Sequence, residues 1–159
     1  MKVRALSILF LCVAFSAIAA NNNTITIQVN GGLNFNCNTA TLLETSQTIS
    51  NAFQIKVLNN ANSCHVYVRI SAWNYPANWV PVNNYPLQVI WSSDDSPNDA
   101  SVAGTTTVNT SDQLLFIQPT HNGNTPYNYY YNLKLLALGY TDYVPGNYNY
   151  TFTFTMTEP

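Results

Sequence analysis

The chain has 159 residues and a net charge of −2, and only 8% of its residues are charged, against 47% hydrophobic and 13% aromatic. This balance excludes disorder driven by charge, because disordered chains combine low hydrophobicity with high net charge. The polar residues are mostly asparagine and threonine rather than lysine and glutamate, which disfavours a helical bundle. The length suits one domain.

The first 20 residues predict a secretory signal peptide. Lys2 and Arg4 form a positive start, residues 6–18 form an apolar stretch, and Ala17-Ile18-Ala19 offers a small-residue cleavage site. The stretch is shorter than the roughly 20 residues that cross a bilayer. We therefore expect secretion to the cell surface or the periplasm, and a single mature domain over residues 21–159.

Loss of Lys2 and Arg4 with the signal lowers the net charge from −2 to −4 and leaves Lys56, Arg69 and Lys134 as the only cations. Three scattered cations cannot neutralise a row of phosphates, so the sequence disfavours nucleic acid as a partner. The mature sequence has no apolar run long enough to predict a direct membrane span.

Two cysteines, Cys37 and Cys64, remain after Cys12 is removed with the signal. In an oxidising compartment the simplest prediction is one disulfide, which would stabilise the fold by about 3.5 kcal/mol in the chain-entropy model. The alternative is a pair of free, buried thiols. Two thiols without further ligands at zinc-finger spacing do not predict a metal site.

Alternation of apolar and polar residues predicts strands along most of the mature chain. After the first strand, a short apolar pair, Leu33 and Phe35, leads to Cys37. The predicted strands are residues 24–29, 52–58, 64–73, 87–91, 102–108, 113–118, 129–138 and 148–157. About eight or nine short strands joined by Asn, Gly and Pro turns predict an all-β, immunoglobulin-like antiparallel β-sandwich, with a closed barrel as the alternative.

Two segments carry a family resemblance. In residues 133–157 an aliphatic strand leads through Pro145-Gly146-Asn147-Tyr148 into a strand that alternates with threonine, and residues 64–72 place a cysteine at the start of a Val-x-Val-x-Ile strand. These segments resemble secreted bacterial pilin-like and spore-coat-U-like domains. The Asn-rich start, residues 30–35, also looks like uncharacterised secreted proteins of Bacteroidetes-type bacteria. The resemblance implies extracellular or periplasmic structural and adhesive work, sometimes polymerisation by strand donation, and no catalysis.

The mature chain offers little catalytic chemistry. His65 neighbours Cys64, but successive strand residues point to opposite faces, so the two cannot form a thiolate–imidazole pair. His121 lies in a predicted turn and is expected to be solvated. Nucleophile-elbow, zinc-protease and phosphate-loop motifs are absent from the sequence. We therefore expect no enzymatic activity and no cofactor.

One loop, residues 94–99, concentrates carboxylates. Asp94, Asp95 and Asp99 could supply the hard oxygen ligands that calcium prefers. The loop lacks the alternating order of a calcium-binding loop, and Pro97 favours a simple turn. The three aspartates are therefore calcium candidates, with a solvated turn as the alternative.

Three tryptophans, Trp73, Trp79 and Trp91, flank a proline-rich middle segment. Exposed flat rings on a sandwich can stack on sugar rings, whereas buried ones fill the core. The first interpretation predicts a carbohydrate-binding module with a glycan partner.

The segment Thr24–Val29 follows the predicted signal directly. It is either the first strand of its own sandwich, or it adds to the sheet edge of another subunit, with Ile25, Ile27 and Val29 filling pockets. The second interpretation agrees with the resemblance. The sequence thus predicts a non-enzymatic, secreted or cell-surface structural and adhesion subunit that assembles with itself or with related surface subunits, and the carbohydrate-binding module is the alternative.

Overall fold

The computed structural model describes residues 23–31, 33–60, 62–74, 86–96, 100–120, 125–139, 144–146 and 148–158. The predicted signal peptide, Trp79, Asp99 and His121 lie outside these residues. The described part of the chain forms one short helix, α1 (Ala40–Leu43), and nine strands. The strands are β1 (Thr24–Val29), β2 (Gln47–Leu58), β3 (Cys64–Asn74), β4 (Leu87–Asp94), β5 (Ser101–Val102), β6 (Thr105–Thr107), β7 (Gln113–Gln118), β8 (Tyr127–Leu135) and β9 (Asn149–Thr157).

The strands form two antiparallel sheets. One has five strands in the order β1-β2-β8-β4-β6, and the other has four in the order β5-β7-β3-β9. The prediction of an all-β sandwich is confirmed, and the alternative of a closed barrel is not.

The core lies between the inner faces of the sheets, where the period-two alternation places the apolar residues. Val66, Val68 and Ile70 of β3 are buried on one side, and Ile55 and Val57 of β2 are buried on the other. Full burial of each such side chain stabilises the fold by about 1.5–3 kcal/mol. Large rings complete the core. The ring of Phe116 stacks on that of Tyr129, with centroids 3.8 Å apart.

The strand predicted over residues 129–138 is β8 and covers Tyr127–Leu135 instead, and two β-bulges explain the wrong ends of β2 and β4. β2 begins at Gln47 rather than at residue 52, because its pairing with β8 shifts between Ile49 and Phe53 and interrupts the alternation. Asn51 adopts a φ of 48° there, and its N–H donates to Asn132 Oδ1 at 2.8 Å. β4 likewise continues past Trp91 to Asp94 beyond a second bulge.

The predicted strand over residues 102–108 is two short strands in different sheets. β5 pairs with β7 in the four-stranded sheet, and β6 pairs with β4 in the five-stranded sheet. The chain crosses between the layers at Ala103 and Gly104, where Ala103 N–H donates to the Leu115 carbonyl and the Gly104 carbonyl accepts from Trp91 N–H. This crossing closes one side of the sandwich.

The predicted Cys37–Cys64 disulfide is wrong, because both cysteines are buried free thiols. Cys64 begins β3 opposite Gln118, whereas the Cys37 carbonyl accepts from Gly146 N–H, shortly before β9 pairs with the far end of β3. The two cysteines therefore lie near opposite ends of β3, a strand of 11 residues that spans about 33 Å. This separation is too large for a disulfide, whose Cα atoms lie within about 7 Å of each other. The cysteine count carried no information about which strand ends meet.

We expect the mature chain to leave both thiols unreactive while it is folded. Burial raises the pKa of Cys64 to about 11, so little thiolate is available at neutral pH, and burial also raises the pKa of Cys37. A thiol-specific disulfide reagent, applied in the absence of reductant, should modify neither cysteine in the folded chain. After unfolding it should modify both. A chain that shows no reactive thiol after unfolding would contradict the free-thiol structure.

Two buried tyrosines give opposite predictions when each is changed to phenylalanine. The Tyr129 hydroxyl donates to Oε1 of the buried Gln118, whereas the Tyr131 hydroxyl is buried and finds no partner among the described residues. We expect Tyr129→Phe to lower the free energy of unfolding by about 1–3 kcal/mol, since Gln118 loses its donor. Tyr131→Phe should leave it unchanged or raise it. Urea unfolding of both variants checks this, and equal losses would refute the assignment.

Candidate functional site

The side of the sandwich opposite the β5–β6 crossing is open. Phe53 of β2 packs edge-on against Phe152 and Phe154 of β9, with ring centroids 5.6 Å and 5.4 Å apart, so β9 lies over β2. β1, the next strand of the five-stranded sheet, therefore extends beyond the four-stranded sheet. The resulting groove, which we call the edge slot, has a volume of about 590 Å³. It is lined by Ile27, Val29, Leu33, Phe53 and residues 150–154.

The burial of β1 shows that the edge slot is uncovered. Val29 pairs with Phe53 across β1 and β2 and therefore shares its inner face. Yet Val29 is 49% exposed, whereas Phe53 is 1% exposed. Ile25 and Ile27, on the same face, are only partly buried. The inner face of β1 stays partly exposed because the four-stranded sheet has no strand opposite β1 to cover it.

Neither strand beside the edge slot carries the charged residues or prolines that usually protect a sheet edge, although the pairing of β9 with β3 contains a bulge between Ile70 and Ala72. Natural edge strands are shielded by charged residues, prolines or bulges, because their outward backbone groups pair readily with another chain. β1 contains no charged residue and no proline, and the same is true of β9. Both edge strands thus lack charged residues and prolines along their whole length.

The edge slot continues into a cavity at one end of the sandwich. This cavity of about 310 Å³ shares Leu33, Tyr150 and Phe152 with the slot and reaches Leu87 and Leu133 in the five-stranded sheet. The two spaces together follow β9 for about seven residues, or roughly 23 Å. An extended segment of similar length could lie along them.

A hydrogen-bonded clasp closes the other end of the edge slot. The Glu158 carboxylate, just after β9, accepts from Asn23, just before β1, and from Asn62 Nδ2 at 2.9 Å. The Asn60 N–H in turn donates to Asn23 Oδ1 at 2.8 Å. The bonds from Asn62 and Asn23 hold the pKa of Glu158 below its ordinary value. The clasp thus joins the free ends of the two edge strands.

We expect acid to open this clasp. A carboxyl group with a lowered pKa in the folded state stabilises that state above its ordinary pKa of 4.5, and the stabilisation is lost as the pH falls through the folded value. Amide hydrogen exchange in β1 should therefore accelerate, relative to β3, as the pH falls through this range. Glu158→Gln should abolish the pH dependence, and Glu44→Gln, at the exposed end of α1, should preserve it. The clasp would be contradicted if amide exchange in β1 depended on pH in the same way in the wild type, Glu158→Gln and Glu44→Gln.

The predicted assembly residues Ile25, Ile27 and Val29 lie in β1, which pairs with β2 of its own chain. In the single chain the segment is thus the first strand of its own sandwich, and donation to another subunit stays a prediction. The sequence alone did not indicate Phe53, Phe152 and Phe154 as site residues, although they form the floor and wall of the edge slot. The alternation of residues in β9 indicates which face of the strand is apolar. It does not indicate that this face packs against β2.

The two described calcium candidates are engaged within the protein. Asp94 accepts from Trp91 Nε1 at 3.1 Å and from the N–H and hydroxyl of Ser96, and Asp95 accepts from Asn128 N–H at 2.6 Å and Nδ2 at 2.7 Å. The described residues contain no cluster of three or more His, Cys, Asp or Glu side chains that could hold a metal ion. This geometry favours the hydrogen-bonded turn over calcium binding.

Of the glycan candidates, Trp91 in β4 is described and is 39% exposed. The backbone of Trp73 lies in β3, but its side chain, like the whole of Trp79, lies outside what the structure describes.

No helix among the described residues is both long enough and apolar enough to cross a membrane. Comparison of the chain with protein-family models, with curated proteins and with solved structures finds no match.

Proposed function

We propose that the mature chain is a non-enzymatic structural and adhesion subunit of the cell surface or periplasm, and that its copies assemble by β-strand addition at the edge slot. The observation that carries the proposal is the half-exposed inner face of β1, where Val29 remains 49% exposed although it faces the other sheet. A strand added beside β9 would cover this face and extend the four-stranded sheet to five strands.

The geometry favours a single extended segment as the occupant. If two intact copies paired through their β9 strands, β2 of the second copy would lie beneath its own β9, in the space that β1 of the first copy already fills. A segment that has left its own sheet meets no such obstacle. The edge slot is therefore one strand wide.

The segment of this chain that best fits the edge slot is β1 of a second copy. Its six residues are uncharged. Ile25, Ile27 and Val29 alternate with polar residues, so all three side chains point to the same face of the strand. In its own sheet these side chains stay partly exposed on one side. In the edge slot of a second copy they would face that copy's own β1, so the inner faces of both strands would be covered, which favours the pairing because buried apolar area stabilises association. Gly31, with a φ of 79°, gives the connection after β1 conformational freedom.

Refolding of the mature chain over a range of concentrations tests the proposal. We expect concentration-dependent oligomers that resist mild denaturant, and no such oligomers from a chain that lacks residues 24–29. A synthetic Thr24–Val29 peptide should bind the intact chain, in which β1 still lines one side of the edge slot, whereas the same peptide with Ile27→Asp should not. A wild-type chain that stays monomeric at every concentration, or a deletion that leaves assembly unchanged, would overturn the proposal.

A further inference from the structure

The β5–β6 side of the sandwich carries a second groove, far from the edge slot. It has a volume of about 520 Å³ and lies beside the crossing between the sheets, with Trp91, Ser92 and Ser93 on one wall and Ala100 and Val102 on the other. We call it the bulge groove. Its volume falls within the range of small-molecule sites, roughly 300–1,000 Å³.

A β-bulge builds this groove. In the pairing of β4 with β8, Trp91 lies opposite Tyr131 and Ser93 lies opposite Tyr130, so Ser92 is the extra residue. Bulges of this kind redirect side chains and are frequent beside functional sites. Tyr131 is fully buried, which places Trp91 in register with the inner face. Trp91 is nevertheless 39% exposed, and it lies just beyond the last residue of β4 that pairs with β6, Ile90 opposite Thr105.

The Trp91 ring is held in place rather than free to rotate. Its Nε1 donates to Asp94 Oδ2 at 3.1 Å, and the other Asp94 oxygen accepts from the Ser96 N–H at 3.1 Å and hydroxyl at 2.6 Å. The Trp91 backbone N–H is fixed as well, by the Gly104 carbonyl at 3.0 Å. The polar group of the indole is thus satisfied while much of the ring remains in solvent. A rigid, exposed ring binds a flat ligand with a small loss of conformational entropy.

The chemistry around the ring points to a neutral sugar. We propose that the bulge groove binds one or two residues of a neutral glycan, with the apolar face of a sugar ring against Trp91 and its hydroxyl groups on Ser92, Ser93 and Asp94. Both serines are exposed and can donate and accept. The described lining contains no lysine or arginine, and Asp94 is an anion, so the groove does not favour acidic sugars.

This inference does not depend on strand addition, because the bulge groove and the edge slot lie on opposite sides of the sandwich. The test applies the mature chain to an array of neutral and acidic oligosaccharides, followed by calorimetric titration of the best neutral oligosaccharide in solution. Trp91→Ala should weaken binding at least about tenfold, and Trp91→Phe should retain most of it. Leu114→Ala is the matched control, since Leu114 is equally exposed at 39% but lies on the other sheet. It should bind as the wild type does.

A measurement on the unmutated chain guards against a variant that fails to fold. The Trp91 Nε1–H resonance, assigned by its loss in Trp91→Phe, should shift as the oligosaccharide is added. The proposal is overturned if the wild type binds no neutral glycan in solution, if acidic glycans bind more tightly, if Trp91→Ala binds as tightly as Leu114→Ala, or if the indole resonance does not move.

Discussion

Val29→Asp should abolish assembly through the edge slot and leave the single chain folded. The Val29 side chain is 49% exposed in the monomer, so a carboxylate there stays hydrated and should cost about 1 kcal/mol or less. In the assembly the same position is covered by a second strand. An unpaired charge buried between two sheets costs several kcal/mol, which exceeds the gain from one covered side chain.

The neighbouring residue provides the control for this prediction. Gln28 belongs to the same strand and is also exposed, but it points to the outer face of the five-stranded sheet. Gln28→Asp adds the same charge to β1 without placing it in the edge slot. Analytical ultracentrifugation should find oligomers of Gln28→Asp and monomers of Val29→Asp. Equal assembly of the two variants would show that the slot is not the contact between copies.

The sequence predicted the fold class because its strongest signal, the period-two alternation, is a local property. In β9 the alternation separated Phe152 and Phe154 from Thr153 and Thr155, and the structure places the two phenylalanines against the core. Pairing is not a local property. Nothing in the alternation shows that β9 neighbours β3 rather than β8, which precedes it. The disulfide prediction was wrong for the same reason, because the sequence does not show which strand ends lie close together.

The edge slot could not be predicted because it depends on how many strands each sheet contains. Residues 102–108 read as one edge strand, whereas the structure divides them between the two sheets. Trp91 is a candidate in the sequence because it is one of three tryptophans that flank the proline-rich middle segment. Its exposure at an inner-face register and the bulge that follows it at Ser92 depend on how β4 pairs with its neighbours, and Trp-Ser-Ser has no sequence feature that requires a bulge.

Phe53→Ala should cause the largest loss of stability, about 3–5 kcal/mol in the free energy of unfolding. Phe53 is 1% exposed, and its ring meets Phe152 and Phe154 edge-on. Truncation removes the ring and leaves a cavity beneath β9, the strand that forms the wall of the edge slot. Urea unfolding measures the loss, and Leu114→Ala, on the outer face of the four-stranded sheet, should stay within about 0.5 kcal/mol of the wild type.

The same variant separates the role of Phe53 in the core from its role in the edge slot. If Phe53 holds β9 over β2, amide exchange in Phe53→Ala should increase in β9 more than in β7, which occupies the other side of β3. Phe53→Leu keeps most of the volume and should restore both the stability and the protection of β9. A loss of protection spread evenly over both sheets would mean that Phe53 only fills the core. The wall of the edge slot would then be held by the pairing of β9 with β3 alone.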